Sequence, residues 1–386
     1  MKTVVLRGPV LTNSGYGVHS RQIARWLLDK PNIDVRFHVL PWGDTPWIID
    51  SSAHDGMIGR IMDRTVDDKF KCDVSLQLQL PNEWNVELGK YNVGITAGVE
   101  SDRCNPQWLK CIDKMNRVIV PSKHVEKCFR NTGTVSTRID VIPESFIDSV
   151  LKSTCDLPIL QNFSTDFNFL LFGQITGNNP FNDRKNTFFT LKWLCDTFKD
   201  DENVGVILKT NAGRNAKYDR VLVKNMINNV LRECRSGTFP KVHIIHGDMN
   251  DDEVAALYRH PQIKALVAAT RGEGFGLPIL EAAASGLPVI ATDWSGHLDF
   301  LKRGLFTELD CYIEDVHQTR IDDTIFVKGA KWAQPSERDF AIKLRSFKSQ
   351  YEQKAMNAQQ LMTVIKDTHN HVAIAKLYDE TLGDVL

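Results

Sequence analysis

The sequence predicts an α/β protein built from two doubly wound parallel sheets. Strand and helix patterns alternate through both halves of the chain. The strand segments are continuous apolar runs flanked by helices, as expected of parallel strands buried on both faces. The alternation weakens once, around 143–167, where Pro143, Ser153, Thr154 and Pro158 read as a linker. The length of 386 residues suits two domains of this kind and buries a sizeable core without disulfides or metals.

In the first half, residues 3–6 read as a strand, 12–17 as a turn and 18–28 as a helix with Val18, Ile23, Trp26 and Leu27 on its apolar face. Residues 33–40 are the next strand. The stretch 41–58, with Gly, Pro and Trp interleaved, reads as a loop. Further strands fall at 72–78, 91–96, 117–120 and 139–142, and Pro121-Ser122 caps a helix over 123–130. The second half restarts with a strand at 167–172 and a helix at 187–198. Strands follow at 204–209, 242–245, 263–268 and 288–291, alternating with helices at 219–232, 251–258 and 277–284. A helical tail runs from the end of 332–336 to about 366, and a last helix covers 371–381. The domains expected are 1–160, 161–350 and a C-terminal helical segment 351–386.

Composition narrows the function classes. Forty-seven cations against 48 acids leave a net charge of −1, which excludes a globally basic nucleic-acid coat. The longest apolar runs, such as 265–269, fall far short of the ~18 residues that span a bilayer. The apolar stretch in residues 1–8 is too short for a signal peptide and reads as the first strand. The eight cysteines form no C-x-x-C pair and no zinc spacing with histidine, so they are expected to be reduced thiols of a cytoplasmic protein.

The most informative stretch is Arg271-Gly272-Glu273-Gly274-Phe275-Gly276-Leu277-Pro278-Ile279-Leu280-Glu281-Ala282. It follows a buried strand and opens a helix. Gly274 and Gly276 permit close backbone approach to a ligand, and Pro278 suits a first helical turn. The free N–H groups of that turn, with the helix dipole, favour phosphate. Glu281, one turn into the helix, would repel a phosphate but accept two hydrogen bonds from a vicinal diol such as ribose. Glu273, before the glycines, is placed to hold sugar hydroxyls. Two acceptors flanking one anion site describe a nucleotide bearing a sugar.

Glu273 and Glu281, with seven residues between them, resemble the E-x7-E signature of retaining GT-B glycosyltransferases of the family 4 type. Ser285-Gly286-Leu287-Pro288-Val289-Ile290 and Ser295-Gly296 continue the likeness, which covers most of the C-terminal half and extends more faintly over the N-terminal half. The resemblance implies two Rossmann-like domains facing a cleft, with Trp332-Ala333-Gln334-Pro335 leading toward a final helix that crosses back to the N-terminal domain. It implies a nucleotide diphosphate sugar as donor and no further cofactor. Glu281 would hold the ribose hydroxyls and Glu273 the donor sugar, and the backbone of Gly274, Phe275, Gly276 and Leu277 would lie along sugar and diphosphate.

Other positions extend this reading. Arg184 and Lys185 stand at the opening of a helix, where two cations neutralise a diphosphate leaving group. The family usually has Gly-Arg after the first strand of this domain, whereas Gly173 is followed here by Gln174, and Arg184 is the candidate replacement. Lys209, at a strand end, is either a nucleotide contact or a solvated lysine. His246, in His246-Gly247-Asp248-Met249, sits in the loop that in the family packs on the nucleobase. In the first half, Gly15-Tyr16-Gly17 resembles the family's Gly-rich loop near the donor phosphate. His19 and Arg21 lie one turn further on, and a lone helical histidine is more often structural. Glu100, in Thr96-Ala97-Gly98-Val99-Glu100, resembles a strand-end glutamate that would contact acceptor or donor sugar; a helix-cap role is the alternative.

No D-x-D motif follows a strand in the donor half, the nearest approach being Asp248-Met249-Asn250, so no essential metal is expected. The stretch 103–138 carries eight cations against two acids, while residues 1–160 net only +1. This localised charge suits an anionic acceptor: DNA with a modified base, an anionic lipid or a phosphorylated glycan. A solvated helix face is the plainer alternative. Two other functions fit the same motif, a GT-B hydrolase or epimerase acting on the nucleotide sugar alone, and a non-catalytic nucleotide-sugar-binding module.

Overall fold

The computed structural model describes residues 1–152, 163–173, 179–211 and 216–386. The Gln174 position, where the family arginine is replaced, lies outside the described residues. The chain divides into two compact units: Met1–Ser145 with Asp322–Val327 and His369–Leu386, and Phe146–Ile321 with Lys328–Thr368.

The first unit is built on β1 (Lys2–Gly8), α1 (Gly15–Leu28), β2 (Ile33–Val39), α2 (Met57–Met62), β3 (Cys72–Leu78), β4 (Gly89–Ile95), α3 (Pro106–Ile112), β5 (Arg117–Val120), α4 (Lys123–Thr132) and β6 (Ile139–Val141). Its six strands are parallel, in the order β2-β1-β3-β4-β5-β6. The first helix starts earlier than its apolar pattern predicts. Ser14 caps it by accepting from the Gly17 N–H at 3.0 Å, so Gly15-Tyr16-Gly17 forms its first turn rather than a loop. A Cβ at Gly17 would lie 2.1 Å from the Thr12 carbonyl oxygen, so only glycine fits there. The stretch 41–58 is mostly loop, tied to the turn between β1 and α1 by the Ile48 N–H bond to the Leu11 carbonyl at 2.7 Å. It ends in α2, whose six residues are too few to show a period.

The second unit contains α5 (Ser149–Lys152), β7 (Phe167–Phe172), α6 (Thr187–Thr197), β8 (Val204–Thr210), α7 (Lys217–Cys234), β9 (Lys241–His246), α8 (Asp251–Arg259), β10 (Ile263–Ala268), α9 (Leu277–Ser285), β11 (Val289–Thr292), α10 (Leu298–Leu301), β12 (Thr307–Leu309), β13 (Cys311–Asp315), β14 (Lys331–Pro335), α11 (Glu337–Ser349) and α12 (Tyr351–Thr368). Its main sheet is again parallel, ordered β12-β11-β10-β7-β8-β9. Three features depart from the sequence expectation. The short strand β12 closes one edge of the sheet. Residues 331–335 are the second strand of an antiparallel pair, β13–β14, rather than a plain lead-in to a helix. The helical tail breaks at Gln350 into α11 and α12. The segment 351–386 also divides. Helix α12 stays in the second unit, packed on α9. The last helix, α13 (His371–Leu382), belongs to the first unit, where Trp26 of α1 donates to the Asp379 carboxylate at 2.8 Å.

Candidate active site

The site of the second unit is built where β10 turns into α9. Gly276 takes φ +101°, a left-handed conformation that suits glycine, and starts α9 with no side-chain cap. Leu277 and Pro278 form its first turn, and Phe275 packs on Phe300 with ring centroids 5.3 Å apart. The loop 295–297 braces the motif from behind. The Glu273 N–H donates to the Ser295 hydroxyl at 2.9 Å, and the Gly296 N–H to the Glu273 carbonyl at 2.9 Å. A Cβ at Gly296 would fall 2.1 Å from the Gly274 carbonyl oxygen. Gly296→Ala is therefore expected to lower the melting temperature by several degrees, read by thermal unfolding. An unchanged melting temperature would contradict the close packing.

Glu273 is buried, with Lys185 Nζ 2.7 Å from one carboxylate oxygen and Arg184 Nη1 3.0 Å from the other. Burial alone raises its pKa, but the two cations outweigh burial and hold it at about 2. The cations reach it because Asp183 shapes the start of α6, accepting from the Lys185 N–H at 2.9 Å and the Thr187 N–H at 2.6 Å. Asp183 thus occupies the N-terminus of α6. Arg271, buried, donates to the Phe181 carbonyl at 2.9 Å and to Gln334 at 3.1 Å, and its backbone N–H bonds the Arg184 carbonyl at 2.8 Å. It fixes the 180–184 segment against the motif. Gly173 directly follows β7, and a Cβ there would lie 2.5 Å from the side chain of Thr187 in α6. Gly173, Lys185, Thr270, Glu273 and Gly276 are among the residues that line a small open pocket here.

Glu281 lies one turn into α9 and is 7% exposed. The Tyr258 hydroxyl of α8 donates to its Oε2 at 3.0 Å. Burial pushes its carboxyl up to about 8. Lys209, also buried, donates from Nζ to the Gly247 carbonyl at 2.5 Å and to Asn211 at 2.6 Å, and burial brings it down to about 8. It is neither freely solvated nor ion-paired in the salt bridges of the described residues. Through Gly247, φ +117°, it anchors the loop that begins at His246, whose own pKa burial lowers.

The first unit gathers its candidates at the ends of β1 and β4. The Tyr16 hydroxyl sits 3.0 Å from the Thr96 hydroxyl and accepts from the Ala97 N–H at 3.1 Å, with the ring stacked on Trp42 at 4.0 Å. Glu100 is partly buried. Burial, and to a lesser degree Glu100 and Glu144, raise the Tyr16 pKa. His19 is buried between Glu144, 3.9 Å away, and the Tyr378 hydroxyl at 3.3 Å, and burial takes its pKa down to about 3. Arg21 donates to the Val10 and Thr12 carbonyls and so braces the β1 loop. The basic stretch 103–138 is more neutralised than its sequence count implies. Arg117 is buried against Asp140, Arg138 shares that carboxylate, and Arg103 pairs with Asp102. Lys110, Lys114, Lys123 and Lys127 remain on the surface.

Sequence reasoning missed Tyr258, the capping role of Asp183 and the clamp formed by Arg271. Arg271 and Ser295-Gly296 stood in the quoted motif without a role, whereas nothing in the pattern of α8 pointed to Tyr258. Among the described residues, no group of three or more His, Cys, Asp or Glu has metal-holding geometry, and no helix is long and apolar enough to cross a membrane.

Residues 235–317 match the family of glycosyl transferases group 1. No curated protein matches the chain by sequence. Among solved structures, the sucrose-phosphate synthase of Thermosynechococcus elongatus is 13% identical, with all of both chains covered and a TM-score of 0.66. HepE of Anabaena, in complex with UDP and glucose, is 13% identical over 99% of this chain and 100% of that one, TM-score 0.64. A glycosyltransferase from Rickettsia africae is 11% identical over 100% of this chain and 98% of that one, TM-score 0.67. The fold is GT-B, and residues 235–317 carry the likeness to the glycosyl transferases group 1.

Proposed function

We propose that the chain is a retaining, metal-independent glycosyltransferase that moves a sugar from a nucleotide diphosphate sugar to an acceptor hydroxyl. The observation that carries this reading is the arrangement at Glu273, where one buried carboxylate holds two cations beside a glycine-opened helix start. Arg184 and Lys185 are the only partly exposed members of that cluster, at 19% and 29% of their side chains, and so are open to a ligand. A diphosphate would take over both cations. Glu273, released from them, would accept hydrogen bonds from the donor sugar, and Glu281 would accept from the ribose diol. As the bond from sugar to diphosphate breaks, negative charge grows on the leaving phosphate, where Lys185 and Arg184 stabilise it most. The solved complex of HepE with UDP and glucose supports a nucleotide-sugar donor.

A donor panel tests the reading. UDP-, GDP-, ADP- and CMP-sugars are each added, and thermal shift and nucleotide release are followed together. Stabilisation by one nucleotide series with slow release is expected. A shift with none of them would overturn the donor assignment, and binding without any turnover would favour a binding module. For the acceptor, the surface lysines 110, 114, 123 and 127 favour an anionic molecule. Its affinity is expected to drop steeply between low and moderate salt, and a flat salt response would exclude this surface as the acceptor site.

A further inference from the structure

Glu281 receives one hydrogen bond from a tyrosine on a neighbouring helix, and that contact is built rather than incidental. Asn250 caps α8 by accepting from the Glu253 N–H at 2.9 Å, while the Glu253 carboxylate accepts from the Asn250 N–H at 2.8 Å, which sets the start of the helix. Ala255 and Ala256 on α8 and Ala282, Ala283 and Ala284 on α9 are all buried in one core cluster. Small side chains there let the two helices approach closely. Tyr258, 2% exposed, packs its ring against Phe172 with centroids 5.7 Å apart, so its hydroxyl has little freedom to move. A buried carboxyl turns easily about its last bond unless one oxygen is held. Tyr258 holds Oε2 at 3.0 Å.

We propose that Tyr258 is a positioning residue of the nucleoside subsite: by holding Glu281 Oε2 it turns the carboxyl so that the group accepts from both hydroxyls of a ribose diol, and thereby sets the preference for ribonucleotides over 2′-deoxyribonucleotides. This rests on the nucleotide-sugar reading above. A tyrosine that only filled space would serve as well without its hydroxyl. A positioning tyrosine acts on the part of the affinity that depends on the sugar 2′-hydroxyl and on nothing else.

The experiment compares UDP, GDP and ADP, each with its 2′-deoxy form, by calorimetric titration of the wild type and of Tyr258→Phe. For whichever base binds, the wild type is expected to favour the ribose form by ~10-fold or more, since a polar site rejects an analogue that leaves its group unpaired. Tyr258→Phe is expected to bring the ratio below ~3-fold, mainly by weakening the ribose form. Should the phenylalanine variant not fold, Tyr258→Met also lacks the hydroxyl and makes the same comparison. An unchanged ratio in a folded variant, or equal weakening of both forms, would overturn the assignment to Tyr258 alone. A wild type that binds none of the nucleotides would overturn the nucleotide reading itself, and the assignment with it.

Discussion

Replacing Lys185 by alanine is expected to cut kcat by ~10²–10³ while weakening donor binding by less than ~10-fold. The split follows from what the lysine touches. In the free protein its charge is already matched by Glu273, 2.7 Å away. Binding a donor exchanges one anionic partner for another, so the gain in the ground state is small. On the proposed reaction, charge accumulates on the leaving diphosphate as the bond to the sugar opens, and only then would the ammonium be needed in full. Arg184, 3.0 Å from the other carboxylate oxygen, remains in the variant, so activity is expected to fall without vanishing. Losing one of two cations also returns the Glu273 pKa toward the ordinary carboxylate range. Its stabilising contribution is present above the unfolded pKa and is lost as pH falls toward about 2, so the variant should be less stable than the wild type near neutral pH, with the gap narrowing as the pH falls below 4.5. Steady-state kinetics with calorimetric donor titration check the split. A loss confined to donor affinity, with kcat unchanged, would reassign Lys185 to ground-state binding.

The start of one helix and the placing of its glutamate were legible in the sequence, and their supports were not. Glycines 274 and 276 and the seven-residue gap between the two glutamates are local features. The start of α9 and the place of Glu281 within it could be read from them. Lys185 was legible as a cation at a helix opening. Its partner was not, because Glu273 is brought to it by the parallel order of β7 and β10, which no local pattern encodes. Tyr258 was hidden for the same reason. On α8 it is an ordinary apolar position of an amphipathic helix, and its role exists only where α8 meets α9. Asp183 directly precedes Arg184 and Lys185 in the chain, yet its capping of α6 goes with Asn186 adopting φ +55°, a conformation that the residue tolerates but does not announce. The +6 of residues 103–138 misled by its window. Asp102 and Asp140, which neutralise Arg103, Arg117 and Arg138, sit just outside it.

Donor affinity is expected to rise with pH from mildly acidic conditions to above 8, and Glu281→Gln should abolish that rise. Burial leaves the Glu281 carboxyl protonated up to about 8. The hydrogen bond from Tyr258 works against burial, and nearby Asp251 works with it. A ribose diol donates two hydrogen bonds, which favours the carboxylate, so nucleotide binding must expel the proton. Below the free pKa that expulsion opposes binding, and above it nothing is left to expel. The glutamine variant keeps the size of the side chain but has no proton to lose, so its affinity should be lower at pH 8 by ~10-fold and flat across the range. The same group acts on stability with the opposite sign. Its folded pKa lies above the unfolded value of 4.5, so the folded chain retains a proton that the unfolded chain releases, and stability falls as pH rises from 4.5 through 8. Glu281→Gln should therefore melt higher than the wild type at pH 8 while binding donor more weakly. Thermal unfolding at several pH values, paired with titration of the donor found in the panel, reads both effects on one pair of proteins. A glutamine variant less stable than the wild type at pH 8 would mean that the carboxyl is ionised and compensated in the free protein, and the pH dependence of donor binding would then have to come from another group.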